Sequence, residues 1–295
     1  MNISVIVCTR NPRQDYLRRV LDALVDQTYP SDAWELILVD NGSNPPIQVT
    51  KNQCRVVVEP QPGLTNARLK GISEARGEWL IFVDDDNVLS PDYLEAASRI
   101  WTGFPQLGAL GGRTSPEFET EPPAWLGPFY PHLALINVDR DCWSNRKDFG
   151  VFPCGAGLCI RRELAAAYAD EVRVDDHRRK LDRTDQSLIS CGDTDMVVFC
   201  IQKGFGVGRF RALHLTHIIP RQRLDYGYNK RLAYGIGYSV GVLQSLNGPV
   251  PLSVKAKAFV LALCAPCLTK NRGRARWIEW ANKYGFWRGL CRGKI

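Results

Sequence analysis

Three consecutive aspartates, Asp84, Asp85 and Asp86, follow the apolar run at residues 79–83, and the chain turns apolar again at Val88 and Leu89. A run of that kind patterns as a buried strand, so the carboxylates stand at its end, where an open α/β sheet holds its ligands. Like charges held together repel unless something neutralises them. A hard divalent cation, Mn²⁺ or Mg²⁺, that also bridges a phosphate-bearing ligand would do so. An acidic, solvated turn is the alternative reading of the same triplet. Asp40 ends a second apolar run, residues 34–39. Asp193 and Asp195 precede an apolar-faced helix at 196–203, and His217 follows a short strand at 213–216. A neutral imidazole beside two carboxylates makes a coordination set for Mn²⁺, although a lone histidine is more often structural.

The elements that must position these groups begin at the first residues. Residues 3–8 read as a strand, and 16–25 as a helix carrying Leu17, Val20, Leu21 and Leu24 at helical spacing, with Asp15 placed to cap it. Strands at 34–39 and 55–58, a helix at 64–75 stopped by Gly77, and the strand at 79–83 complete a run of short-linked β and α segments. That order predicts a mostly parallel sheet covered on both faces. Right-handed crossovers bring the C-terminal ends of the strands to one edge, so Thr9, Asp40 and the three aspartates should converge. The loop after the first strand, TRNPRQD, lacks G-x-G-x-x-G, and no G-x-x-x-x-G-K-[ST] occurs, which speaks against NAD, FAD and P-loop nucleotide binding. Phosphates would then fall to metal and to side chains such as Arg68.

Beyond Pro91 an apolar stripe (Tyr93, Leu94, Ala97, Ile100) predicts a helix, and residues 107–110 a strand ending at Gly111 and Gly112. Residues 113–153, rich in Pro and aromatics with little period, predict a long ordered loop over the site that includes Trp125. The small residues Gly155, Ala156 and Gly157 flow into a strand; they leave room for a ligand or allow two strands to pack closely. A helix starts at 163–168, and a charged, solvated connection runs over 170–185. Asp193 reads as the cap of the following helix and Asp195 as part of its first turn. With a metal cluster already in the chain, a catalytic role for Asp193 is weighed above a simple cap. Strands at 206–210 and 213–216 precede a long helix at 224–246, closed by Asn247, Gly248 and Pro249.

The chain of 295 residues, 45% hydrophobic, supports one large domain or two modest ones. Ten scattered cysteines predict free thiols in a reducing compartment, and Cys264 with Cys267 reads as two helix cysteines near a kink at Pro266 rather than half a zinc site. The first residues have none of the features of a signal peptide, and residues 256–267 are too short to span a bilayer. A cytoplasmic protein is therefore expected. The whole net charge of +7 resides in residues 270–295, where eight Lys or Arg meet the single acid Glu279. The tail from 275 mixes these bases with Trp277, Ile278, Trp280, Phe286, Trp287 and Leu290. It reads as an amphipathic segment for an acidic membrane surface, peripheral to the inner face of the plasma membrane, or as aromatics docked on the domain with solvated bases. Net positive charge confined to the tail argues against nucleic acid as a partner.

Asp40 in LILVDNGS, Asn66-Ala67-Arg68 leading to Gly71, VDDDNVL and GDTD together resemble the inverting family 2 glycosyltransferases of the GT-A fold, over about residues 3–220. The resemblance implies a single Rossmann-like, mostly parallel mixed sheet flanked by helices. The catalytic domain would occupy 1–222, with a nucleotide-sugar half to about 112 and an acceptor half from 113. A helical C-terminal extension with a basic, aromatic tail would occupy 223–295. It implies a nucleotide-sugar donor, expected to be UDP-linked, held by Thr9, Arg10, Asp40, Arg68, Asp84 and Asp85. A Mn²⁺ or Mg²⁺ ion would be held by Asp86, Asp84 and His217, and Asp193 would be the base. The glycan or lipid-linked saccharide acceptor would lie on Trp125, Gly155, Ala156, Gly157 and Asp195. Members commonly show Glu-Asp where this chain has Gly192-Asp193, so one carboxylate that helps hold acceptor or base is missing. A metal-dependent sugar nucleotidyltransferase is the enzymatic rival, and would want a Gly-rich loop after the first strand. A non-catalytic, membrane-associated glycan-binding protein is the other, and would have no use for both the metal cluster and Asp193.

Overall fold

The computed structural model describes residues 2–49, 54–183, 187–246, 248–268 and 273–292. Asp185, Asn247 and, in the basic tail, Lys270, Arg272, Lys294 and Ile295 lie outside these residues. The chain forms two compact units. The first comprises Met1–Glu117, Ala134–Arg179 and Asp193–Ile218; the second comprises Phe118–Leu133, Lys180–Gly192 and Ile219–Ile295.

The first unit starts with β1 (Ile3–Thr9), α1 (Gln14–Val25), β2 (Trp34–Asp40), β3 (Cys54–Val58), α2 (Leu64–Glu74) and β4 (Trp79–Asp84). It continues through β5 (Asn87–Leu89), α3 (Tyr93–Gly103) and β6 (Leu107–Phe118), then β7 (Cys142–Ser144), β8 (Leu158–Arg161), α4 (Arg162–Arg173), α5 (Asp176–Arg179), α6 (Gly192–Gln202) and β9 (Gly206–Ile219). Among the described residues the strands form one mixed sheet in the order β3-β2-β1-β4-β8-β6-β9-β5, with β7 on β9. β1 pairs in parallel with β2 and β4, and β2 with β3, whereas β8 runs antiparallel to β4 and β5 to β9.

Every residue of β1 is buried, and the twofold alternation of a strand sorts them onto two cores. Ile3, Val5 and Val7 pack with Leu17, Val20, Leu21 and Leu24 of α1 and with the Tyr93, Leu94, Ala97 and Ile100 stripe of α3. Ile6 and Cys8 pack on the other face with Ala67 and Ile72 of α2, Leu164 and Val172 of α4 and Met196 and Val197 of α6. This is the mixed, doubly covered sheet with a helical extension that the motifs imply, but it is not mostly parallel: β1–β2, β1–β4 and β2–β3 are parallel, whereas β4–β8, β6–β8, β5–β9 and β7–β9 are antiparallel.

Several local expectations differ. Arg13, not Asp15, is the N-cap of α1; Asp15 lies in its first turn and pairs with Arg13 at 2.7 Å. Gly77 does not end α2, which stops at Glu74; a Cβ there would stand 2.6 Å from the backbone of Ile3 and Ser4. The stretch 113–153 is not one loop: β6 continues to Phe118, Ala124–Leu133 is a 3₁₀ helix and Cys142–Ser144 joins the sheet. The strands expected at 206–210 and 213–216 are one, because the exposed Arg211 and Ala212 interrupt the apolar pattern without breaking the strand. Within the charged connection, Asp175 accepts the amides of His177 and Arg178 and starts α5.

The second unit is helical from the short 3₁₀ turn Arg221–Leu224 onward, with α7 (Tyr226–Leu246), α8 (Leu252–Leu268) and α9 (Arg274–Cys291). Asp225 accepts the Tyr228 amide at 2.9 Å and so closes the N-terminus of α7. α7 and α9 touch through glycine: a Cβ on Gly237 or Gly241 would collide with a carbonyl of α9, and one on Gly285 or Gly289 with a carbonyl of α7. Ile278, Ala281 and Leu290 of α9 are buried, so this part of the tail is docked on its own unit. Pro266 lies within α8, and Cys264 and Cys267 are exposed on it.

Candidate active site

The C-terminal ends of the parallel strands meet at one edge because the register aligns them. Thr9 is the partner of Asp40 across β1 and β2, and Cys8 the partner of Asp84 across β1 and β4. The Thr9 hydroxyl donates to Asp85 Oδ2, which ties the acidic triplet to the end of β1. Asp84 and Asp85 are half-buried and Asp86 is buried. Arg10 is half-buried at the start of the next loop.

Asp40 is 2% exposed. Its Oδ1 accepts the Ser43 amide at 2.8 Å and its Oδ2 the Ile47 amide at 3.0 Å. Burial raises its pKa, but the bonds from Ser43 and Ile47 outweigh burial and hold it below the usual carboxylate value. The carboxylate, expected to meet the nucleoside, shapes the loop that follows β2 through these two bonds. Asn11 and Ser43 lace that loop to the one after β1, through Asn11 N–H to Ser43 Oγ and Asn44 N–H to Asn11 Oδ1, each at 2.8 Å. Asn41 was not singled out by the motifs. Its side-chain amide donates to the carbonyls of Glu59 and Gln61 and accepts the Gly63 amide, fixing the entry to α2.

Asp86 meets His217 through the antiparallel pairing of β5 with β9, which sets His217 opposite Asn87. His217 Nε2 lies 3.4 Å from Asp86 Oδ1, and Asn87 Nδ2 donates to the same oxygen at 2.9 Å. Among the described residues no three His, Cys, Asp or Glu side chains surround one point. A Mg²⁺-type ion takes one or two protein carboxylates and completes its shell with substrate phosphates and water. An oxygen and a nitrogen converging at Asp86 and His217, two residues past Asp84, fit that requirement.

The other wall is built by β8 and α6. Since β8 runs against β4, its beginning lies at this edge, and Gly155 just before it donates its amide to Asp193 Oδ2 at 2.6 Å. Asp193 lies in the first turn of α6, and its Oδ1 accepts the Thr194 amide at 2.7 Å. A Cβ on residue 155 would lie 2.8 Å from Arg68 Nη2 and 3.0 Å from Asp193 Oδ2, so the bare glycine is what lets arginine and carboxylate approach the same point. Burial, and then the negative charge of Asp193, push the Cys154 thiol up to about 11.

The remaining expected acceptor residues have these contacts. Asp195 is fully buried; Arg178 Nη1 pairs with its Oδ1 at 2.7 Å and Tyr168 Oη donates to its Oδ2. It braces α6 against α4 and α5 and has no surface to offer a saccharide. Burial raises its pKa more than Arg178 lowers it. Ala156 belongs to the apolar core, and the Gly157 carbonyl accepts from Tyr93 Oη at 2.7 Å, so of the three small residues only Gly155 touches Asp193. Trp125 lies in the second unit, half-buried and edge-on to Tyr226 at 5.8 Å. Asp182, which the motifs did not mark, is 4% exposed and accepts the Gly192 amide.

A protein-family model described as Glycosyl transferase family 2 matches residues 4–165. EpsH of Bacillus subtilis is 36% identical over 104 residues, covering 33% of this chain and 29% of its own length. The poly(ribitol-phosphate) beta-glucosyltransferase of Bacillus spizizenii is 32% identical over 134 residues, 40% of this chain and 21% of that one. The chain thus spans less than a third of these relatives. Among solved structures, the mannosyltransferase PcManGT of Pyrobaculum calidifontis, in complex with GDP-Man and Mn²⁺, superposes with a TM-score of 0.57 at 16% identity, over 100% of this chain and 76% of that one. S. aureus TarS 1-349, in complex with UDP-GlcNAc, gives 0.53 at 14% identity over 97% and 90%. These structures share the fold, and the family model covers more than half of the chain. The chain belongs to glycosyl transferase family 2.

Proposed function

We propose that this protein is an inverting glycosyltransferase that moves a sugar from a nucleoside diphosphate donor, UDP-linked in the first instance, to a hydroxyl of a glycan or lipid-linked acceptor. The observation that carries the proposal is the placing of Asp193 beside Gly155 and Arg68, at the sheet edge that also bears Thr9 and the acidic triplet. The donor would rest on Thr9, Arg10, Asp40, Arg68, Asp84 and Asp85. A divalent cation on Asp86 and His217, near Asp84, would neutralise charge on the departing diphosphate when bound.

Asp193 is a half-buried carboxylate whose oxygens are oriented by two backbone amides. It takes the proton of the acceptor hydroxyl as that oxygen bonds to the anomeric carbon. The bond from that carbon to the diphosphate oxygen breaks with its electron pair on the nucleotide, and the configuration inverts in one displacement. A single base suffices, and no second carboxylate is needed to hold a glycosyl intermediate. Arg68, aimed at the same point, balances the negative charge beside it. In this reading residues up to about 112 serve the donor and those from 113 the acceptor. The basic tail at 270–295 would keep the protein peripheral to the inner face of the plasma membrane. No helix among the described residues is long and apolar enough to cross a membrane.

The test is a screen of nucleotide-sugars with and without Mn²⁺, following nucleoside diphosphate release. Selective, metal-dependent release supports the reading, and Asp86→Ala or His217→Ala should raise the Mn²⁺ needed for half-maximal rate by at least ~10-fold. Release of pyrophosphate from a nucleoside triphosphate and a sugar phosphate would instead favour the nucleotidyltransferase. No turnover of any donor by folded protein would leave a binding protein.

A further inference from the structure

Within the second unit α8 is built inside out. Its buried positions are Ala258, Ala262 and Ala265, spaced four and three residues apart, and the helix lies on α9 through them. Most of the large apolar residues face away: Val260 is 54% exposed, Leu261 43% and Leu263 61%, with Leu252, Cys264 and Cys267 also exposed, whereas the Phe259 ring lies against Trp287 of α9 at 4.9 Å. Ala256, Val260, Leu263 and Cys267 recur every three or four residues, which puts them on one outward stripe. A helix that turns alanine inward and leucine outward gives up most of the burial its sequence allows. An apolar stripe on that scale marks a surface that meets something.

Charge selects the occupant. Lys255, Lys257, Arg274, Arg276, Lys283, Arg288 and Arg292 accompany the two helices, against the single acid Glu279, whose carboxylate is taken by Lys283 at 2.7 Å. Two copies meeting through this face would bring like charges together, whereas an anionic lipid surface complements it. At seventeen residues α8 is about 25 Å long and, like the other described helices, does not qualify as a span.

We propose that α8 lies in the plane of an anionic bilayer, with Val260, Leu261 and Leu263 among the acyl chains and the surrounding Lys and Arg at the headgroups. This deepens the peripheral-membrane part of the proposed function by moving the contact from the tail, where Ile278, Ala281 and Leu290 are buried and Tyr284 meets Tyr234 of α7, to the helix before it. The transfer chemistry does not depend on it.

The test is sedimentation of the full chain with vesicles of phosphatidylglycerol and phosphatidylcholine, and with phosphatidylcholine alone. Binding is expected only to the anionic vesicles. Leu261→Ser/Leu263→Ser, which changes two exposed positions, should weaken it at least ~10-fold while the melting temperature stays put. In the unaltered protein, modification of Cys264 and Cys267 by a charged maleimide should slow when anionic vesicles are added. No binding by the unaltered protein would overturn this inference together with the membrane part of the reading, leaving donor turnover as a separate question. Binding that the double substitution leaves unchanged, with Cys264 and Cys267 still modified at the same rate, would overturn α8 alone and return the contact to the tail. A dimer that the double substitution dissociates would make the stripe a self-association face and also overturn it.

Discussion

The carboxylate of Asp182 stands where a side chain on Gly192 would begin. A Cβ at position 192 would collide with Asp182 Oδ2 and lie 2.6 Å from its Cγ, while the Gly192 amide donates to Asp182 Oδ1 at 3.2 Å. The space next to position 192 is thus taken by an acid from ten residues upstream. Gly192→Ala should cost about 1–3 kcal/mol by overpacking, and Asp182→Ala a similar amount by leaving a buried amide unpaired. The double variant should be less damaged than the sum by at least about 0.5 kcal/mol. Urea unfolding of the four proteins checks this, and strict additivity would mean that the two residues do not share the space.

Gly155→Ala separates folding from chemistry. The new methyl group would meet Arg68 Nη2 at 2.8 Å, Asp193 Oδ2 at 3.0 Å and Asp193 Cβ at 3.3 Å; the two tightest contacts are side-chain ends, which can move. The melting temperature should change by no more than about 3 °C, yet transfer should fall at least ~10-fold as base and arginine leave their places. A rate within twofold of the unaltered protein would show that their placement is not critical.

Asp193→Asn keeps the size of the side chain and one oxygen able to accept the Gly155 or Thr194 amide. Transfer should fall by about 10²–10⁴, the range for loss of a general base, with donor affinity measured calorimetrically within a few-fold of the original. Equal loss of affinity and rate would instead place Asp193 in donor binding.

Asp40 sets a pH dependence for stability. Its folded-state pKa lies below the unfolded value, with the Ser43 and Ile47 bonds outweighing burial. The stabilisation is therefore complete above the ordinary carboxylate range and is lost as pH falls through it toward the lower folded value. Asp40→Asn should remove about 1–3 kcal/mol at neutral pH, because an amide nitrogen then faces a backbone donor, and should flatten the acid side of the stability curve. An unaltered acid limb in that variant would assign the loss to other groups.

The thiols divide by exposure. Cys264, Cys267 and Cys291 are exposed, while burial raises the Cys154 thiol to about 11, Cys200 to about 12 and Cys159 further still. In lipid-free native protein, peptide mapping after alkylation at neutral pH should find the first three modified and the others only after denaturation. Early modification of Cys159 would mean that the β8 core opens.

How much of this could be read from residues alone depends on where each contact is encoded. β1, β2 and β4 are continuous apolar runs because parallel strands are covered on both faces, and Thr9, Asp40 and Asp84 follow them as strand ends. The pairing of Asp86 with His217 is not written locally, since it needs the register of β5 against β9 across more than a hundred residues. Asp195 was legible as a first-turn acid, but its direction was not; an aspartate facing Arg178 and Tyr168 looks the same in sequence as one facing a substrate. Arg211 and Ala212 divided β9 on paper because hydropathy reports side chains, whereas the ladder is made by backbone.

The glycine seam between α7 and α9 has a consequence for how this half of the protein can change over time. Where two backbones touch, the space admits hydrogen and nothing larger, so Gly237, Gly241, Gly285 and Gly289 cannot drift without prising the helices apart. The tyrosines and tryptophans beside them carry no such constraint. Sequence divergence among close homologues should therefore spare four of the least conspicuous residues in the unit and fall on its most conspicuous ones.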